Sequence, residues 1–123
     1  MALLADAALS PVERRVLQRF VRLAQDEYGD DLRSIWLFGS RARGEQPHPE
    51  SDVDVLVVIR GAKLDDHFRM VRLMDGTADE EGANPVLFTV KVYTPERVAQ
   101  RREIRSFFMQ EVDRDKVILA GEP

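Results

Sequence analysis

The chain has 123 residues, 44% hydrophobic and 33% charged, with no cysteine and a formal net charge of −4. That length fits one domain around one core, the lack of cysteine excludes disulfides and thiolate zinc sites, and the acidic balance argues against a surface built to neutralise nucleic-acid phosphates. No apolar run approaches membrane-spanning length and the opening MALLADAALS has no basic segment before a long apolar one, so the expectation is a single cytoplasmic domain over residues 1–123.

Ser10-Pro11-Val12-Glu13 combines a capping Ser, a Pro at the first helical position and a Glu three residues after the cap. This predicts a helix running to about Tyr28 and stopped by Gly29. Val12, Val16, Phe20, Leu23 and Ala24 recur at helical spacing and form its inward face. Ser34–Phe38 (SIWLF) predicts a buried strand ended by Gly39, with Trp36 in the core and its indole N–H in need of a partner. Val53–Ile59 predicts a second strand, and the segment from Gly44 to Ser51, with two prolines, a loop.

Farther on, Lys63 to about Asp75 fits a helix with Leu64, Phe68, Val71 and Met74 inward, closed by Gly76 and followed by the polar connection TADEEGAN. Pro85–Tyr93 (PVLFTVKVY) predicts a third strand. Thr94-Pro95-Glu96 opens a long helix to about Val112, and Lys116–Leu119 forms a last short strand. The order is α, β, β, α, β, α, β, an α/β fold. In the last helix Phe107-Phe108-Met109 puts three large apolar residues in succession, more than one helix face buries, so one or two of them face solvent, a second copy or a partner.

Two stretches carry chemistry. Gly39-Ser40 after a strand suits phosphate, because glycine lets the backbone approach closely and the amides that follow point outward. By itself that pattern is more often a plain turn. Asp52 and Asp54, at i and i+2, project to one side of a strand while Val53, Val55 and Val57 face the other. Two carboxylates so placed repel unless a cation lies between them, and oxygen ligands completed by phosphate oxygens are what Mg²⁺ prefers. The plainer reading is a polar strand entrance with Asp52 capping a turn; the Gly-Ser turn on the preceding strand weighs against it. Arg41 and Arg43 either meet phosphate or an acidic partner or stand as solvated loop arginines. His48 and His67 have no second histidine at metal-ligand spacing and read as surface or packing residues.

The combination of Gly39-Ser40-Arg41-Ala42-Arg43-Gly44 with Ser51-Asp52-Val53-Asp54-Val55-Leu56-Val57-Val58 resembles the signature of the minimal nucleotidyltransferases, small members of the DNA-polymerase-beta-like superfamily. The resemblance implies a small mixed β-sheet flanked by helices. It also implies Gly39 and Ser40 holding the triphosphate of ATP or another nucleotide, with Arg41 and Arg43 beside them, and Asp52 and Asp54 binding catalytic Mg²⁺. Free-standing members are commonly partnered with a small helical protein of the HEPN type as its antitoxin, some by transferring AMP to a tyrosine of that partner. Transfer to a small molecule of the aminoglycoside type is disfavoured, because no second module for gripping such a substrate is present. One departure stands out. Active members usually carry a third carboxylate on the third strand, and Pro85–Tyr93 has no acid; Asp79, Glu80 or Glu81 could supply it, or the domain could neutralise its partner by covering it without catalysis.

Overall fold

A computed structural model of the chain describes residues 4–46 and 51–123. Among them four strands form one mixed sheet with four helices around it. Helix α1 spans Pro11–Tyr28 and opens as its sequence demands: the Ser10 hydroxyl accepts the Glu13 amide at 3.1 Å, and the Glu13 carboxylate accepts the Ser10 amide at 2.7 Å. These two reciprocal bonds satisfy donors that a helix start otherwise leaves bare. Its buried face is Val16, Leu17, Phe20 and Ala24, with Leu17 rather than Leu23 at the centre.

Strands β1 (Leu32–Phe38) and β2 (Val53–Ile59) pair antiparallel, with Phe38 opposite Asp54. Helix α2 spans Leu64–Glu80. It does not stop at Gly76 as expected. Met70, Met74, Thr77 and Ala78 are all buried at helical spacing, and that packing outweighs the ~1 kcal/mol a mid-helix glycine costs. The inward face is correspondingly rotated from the one expected, leaving Leu64 and Phe68 exposed. At its far end α2 is tied to α1 by ion pairs of Arg19 with Glu80 and Glu81, and of Arg15 with Glu81.

Strand β3 spans Phe88–Tyr93, shorter than the run Pro85–Tyr93, because the Asn84 side chain accepts the Val86 amide and caps a single 3₁₀ turn over Pro85–Leu87. It pairs parallel with β2, setting Thr89 beside Asp54. The sheet order is β3-β2-β1-β4, with β4 (Val117–Gly121) antiparallel to β1. Val53, Val55, Val57 and Ile59 bury one face of β2 against α1 and α2. Leu56 and Val58 bury the other in a smaller cluster with Trp36 and Phe38. The Trp36 indole N–H donates to the Glu122 carbonyl at 2.7 Å, which meets the need of a buried indole.

The long final helix is two helices, α3 (Pro95–Glu103) and α4 (Phe107–Asp115). Between them Arg105 takes a left-handed conformation (φ 53°), and Ser106 caps α4 by accepting the Met109 amide at 3.1 Å. A straight helix would carry Met109 about 16 Å along the axis from Val98. The break instead folds Val98, Met109 and Val112 into the one cluster around Trp36. Of the three successive apolar residues Met109 is buried, Phe108 half-buried and Phe107 exposed. Among the described residues no helix is long and apolar enough to cross a membrane. Since the Ser106 cap holds the start of α4, Ser106→Ala is expected to lower stability by about 1 kcal/mol, measured by urea unfolding, whereas Arg105→Gly should cost nothing or stabilise because glycine adopts that φ without strain.

Candidate functional site

The end of β1 and the start of β2 lie side by side, and the turn after β1 folds back over β2. Gly39 has φ 81° and is held against Asp54: a Cβ there would stand 2.6 Å from Asp54 Oδ2. Only glycine brings backbone that close to a carboxylate. The Arg43 amide donates to the Gly39 carbonyl and the Glu45 amide to the Ser40 carbonyl, closing the turn. On its other side Asp54 accepts the Thr89 hydroxyl through Oδ1, as the β2–β3 register requires.

These residues bound a cavity of about 360 Å³. Gly39, Ser40, Arg43 and Asp54 form its polar side, Phe38, Phe108 and Val112 its apolar side, and Glu111 of α4 completes it. Asp54 is half-buried, whereas Asp52 stands one residue ahead of β2 and is exposed. Arg43 is held in place by Glu45 at 2.8 Å and by Asp115 at 3.4 Å. The structure thus brings Gly39, Ser40, Arg43 and Asp54 together around the cavity, whereas Asp52, expected beside Asp54, does not bound it.

Arg41 lies elsewhere. It does not bound the cavity; its side chain is buried and fully engaged. Nε donates to the Ser51 hydroxyl at 2.7 Å and Nη2 to the Ser51 carbonyl at 3.1 Å, while Nη1 reaches the Ala8 carbonyl at 3.0 Å and the Glu13 carboxylate at 2.7 Å. The expectation of an arginine on phosphate is corrected to one that clamps the turn, the start of α1 and the start of β2 together. A guanidinium so buried is stable because each of its three nitrogens donates to oxygen, four of its five N–H groups being matched in a planar fork. Glu13 shares in this: burial pushes its carboxyl up, but the hydrogen bond from Arg41 and that from the Ser10 amide outweigh burial and hold it below its ordinary value of 4.5.

Among the upstream acids that could have served, Glu80 and Glu81 are ion-paired to α1 and Asp79 is exposed; none bounds the cavity. His48 lies outside the described residues, and His67 packs edge-on against Phe68. Two residues escaped the sequence reading. Lys91 follows Thr89 by two positions on the same strand, with Nζ 5.6 Å from the Phe108 ring centroid at the margin of the site. Glu111 had no sequence signal, because its direction depends on the break before α4. Among the described residues no three His, Cys, Asp or Glu side chains gather closely enough to form a metal cage. The donor set is nonetheless all oxygen, which suits Mg²⁺, an ion that keeps several waters and completes its shell with substrate phosphates rather than a protein cage.

A family model for a nucleotidyltransferase domain matches residues 14–120. Comparison with curated proteins finds no match. Among solved structures, one assigned as a minimal nucleotidyltransferase aligns over 88% of this chain and 95% of its own, with 24% identity and a TM-score of 0.54. A toxin–antitoxin structure with AMP-PNP aligns over 85% and 73%, with 19% identity and a TM-score of 0.52. A protein of Sulfolobus solfataricus assigned as a nucleotidyltransferase aligns over 90% and 84%, with 20% identity and a TM-score of 0.51. At these identities the likeness is one of fold.

Because Arg41 and Glu13 are buried together, removing the arginine leaves a carboxylate without its partner. Arg41→Ala is expected to destabilise by roughly 3–5 kcal/mol. Glu13, whose carboxyl titrates lower in the folded chain than in the unfolded one, contributes stability above pH 4.5 that is lost as pH falls through its folded value. Urea midpoints measured across this window should fall on acidification in the wild type and fall less steeply in Glu13→Gln.

Proposed function

This chain belongs to the nucleotidyltransferase domain family, and from that premise we propose that it moves AMP from ATP to a hydroxyl of a partner protein, acting in the cytoplasm as the antitoxin of a small helical HEPN-type toxin. The observation that carries this reading is the contact of left-handed Gly39 with Asp54 at the mouth of a 360 Å³ cavity. It sets phosphate-binding backbone and a carboxylate against the same small space. The fold is shared with a toxin–antitoxin structure that holds AMP-PNP. The exposed corner of Ile104 and Phe107 between α3 and α4 offers apolar surface for the partner or a second copy.

In this reading the amides after Gly39 and the Ser40 hydroxyl hold phosphate oxygens, and Arg43 adds positive charge. Asp52 and Asp54 would hold Mg²⁺, which when bound neutralises phosphate charge and makes the α-phosphorus more electrophilic. Thr89 fixes the rotation of Asp54 by donating to Oδ1, leaving Oδ2 on the Gly39 side. Phe38, Phe108 and Val112 keep water from one side of the cavity. The acceptor hydroxyl gives up its proton to water as its oxygen forms a bond to the α-phosphorus, the bond from that phosphorus to the bridging oxygen breaks, and pyrophosphate leaves.

A second reading has its own support: the strand position beside Asp54 holds Thr89 rather than an acid, so the domain could neutralise its partner by covering it. Label transfer from α-³²P-ATP to the co-expressed partner separates the two. Asp52→Asn with Asp54→Asn is expected to abolish both transfer and neutralisation, and Ser40→Ala to weaken nucleotide binding by about 0.5–1.5 kcal/mol, the worth of one hydrogen bond. A silent wild type whose double variant still neutralises would establish the covering protein instead.

A further inference from the structure

Helix α4 carries three carboxylates, Glu111, Asp113 and Asp115. Two of them are neutralised. Asp113 meets Arg102 and Lys116, each at 2.8 Å, and Asp115 meets Arg114 at 2.9 Å and Arg43 at 3.4 Å. Glu111 is half-buried, has no hydrogen-bond or ion-pair partner among the described residues, and is the member of the three that bounds the cavity with Asp54. Its direction is well fixed, because Met109 and Val112 on the same helix are buried in the cluster around Trp36. Arg43, the one cation bounding this cavity among the described residues, is already engaged by Glu45 and Asp115.

Two carboxylates thus face one partly enclosed space whose arginine is occupied by two other acids. A divalent cation entering that space would meet carboxylate oxygens from both β2 and α4. Among the described residues no cage of three ligands forms, so direct ligation by Glu111 is not the role the geometry offers. A carboxylate that accepts hydrogen bonds from water on a divalent ion would serve, since such outer partners change metal affinity by roughly 10- to 100-fold.

We propose that Glu111 is a positioning residue of the metal–nucleotide site, drawing a divalent cation into the cavity opposite the Gly39-Ser40 turn through that ion's bound water. The inference rests on the nucleotidyltransferase reading above and assigns to α4 a part in the site that β3 does not supply. It explains why the chain breaks before α4: a helix that continued straight would carry Glu111 away from Asp54.

The test is Mn²⁺ binding in the presence of AMP-PNP, followed by the enhancement of water-proton relaxation that protein-bound Mn²⁺ gives over the Mn²⁺–AMP-PNP complex alone, with thermal unfolding as the check on folding. Wild type is expected to take up Mn²⁺. Glu111→Gln should weaken that uptake by about 10-fold or more while metal-free AMP-PNP affinity stays the same, and Asp113→Asn on the same helix should leave Mn²⁺ affinity unchanged. Wild-type Mn²⁺ affinity in Glu111→Gln would overturn the inference and leave the proposed function standing; failure of wild type itself to bind Mn²⁺ with AMP-PNP would overturn both. If Glu111→Gln does not fold, Glu111→Asp decides, weakened Mn²⁺ binding supporting the inference and wild-type affinity overturning it.

Discussion

The buried guanidinium of Arg41 is the contact on which the site's frame depends. Four hydrogen bonds from one side chain reach the segment before α1, the capping box of α1 and Ser51, two residues ahead of β2. Removing an ion from water costs several kcal/mol, and a planar fork whose three nitrogens all donate to oxygen is the arrangement that offsets it. The consequence is geometric. Ser40 and Asp52 sit one residue from Arg41 and Ser51 respectively, so the phosphate-side turn and the metal-side strand are anchored through a common side chain. Arg41 belongs to the site without touching the cavity.

The sheet supplies the second constraint. One face of β2 is wholly apolar, buried against α1 and α2 by Val53, Val55, Val57 and Ile59. Alternation then forces Asp54 to the other face, in line with Leu56 and Val58. That face is covered by α3 and α4 over Leu56 and Val58, but Asp54, one pair nearer the strand's start, meets the cavity. The parallel register with β3 places Thr89 beside it, and the antiparallel register with β1 places Phe38 there. The carboxylate is consequently open to the cavity on one side and held on the others, which orients it.

The third constraint is the corner at Arg105. A residue with a side chain in the left-handed region costs of order 1 kcal/mol, and the Ser106 cap and the burial of Met109 and Val112 offset it. The Arg102–Asp113 pair across the corner adds a direct link between the two helices. What results is a wall for the cavity that no strand provides, bearing both the apolar Phe108 and Val112 and the free carboxylate of Glu111.

Local signals in the sequence determined much of this. The Ser10–Glu13 capping box and Pro11 set the start of α1, the apolar run Val53–Ile59 set β2 to the residue, and the Gly-Ser turn and Asp54, singled out together, prove to be neighbours. Such features are legible because each depends on neighbours within a few positions along the chain. Tertiary packing decided the rest. Gly76 reads as a stop, but burial of Thr77 and Ala78 carries α2 past it. Arg41 and Arg43 look alike in sequence; only the positions of Ala8, Glu13 and Ser51 separate a clamp from a cavity residue. Glu111 has no marker at all, since its place on the cavity that Asp54 also bounds follows from a helix break that the apolar spacing from Val98 to Val112 conceals, and a cavity shared by residues far apart in the chain exists only once the sheet has brought them together.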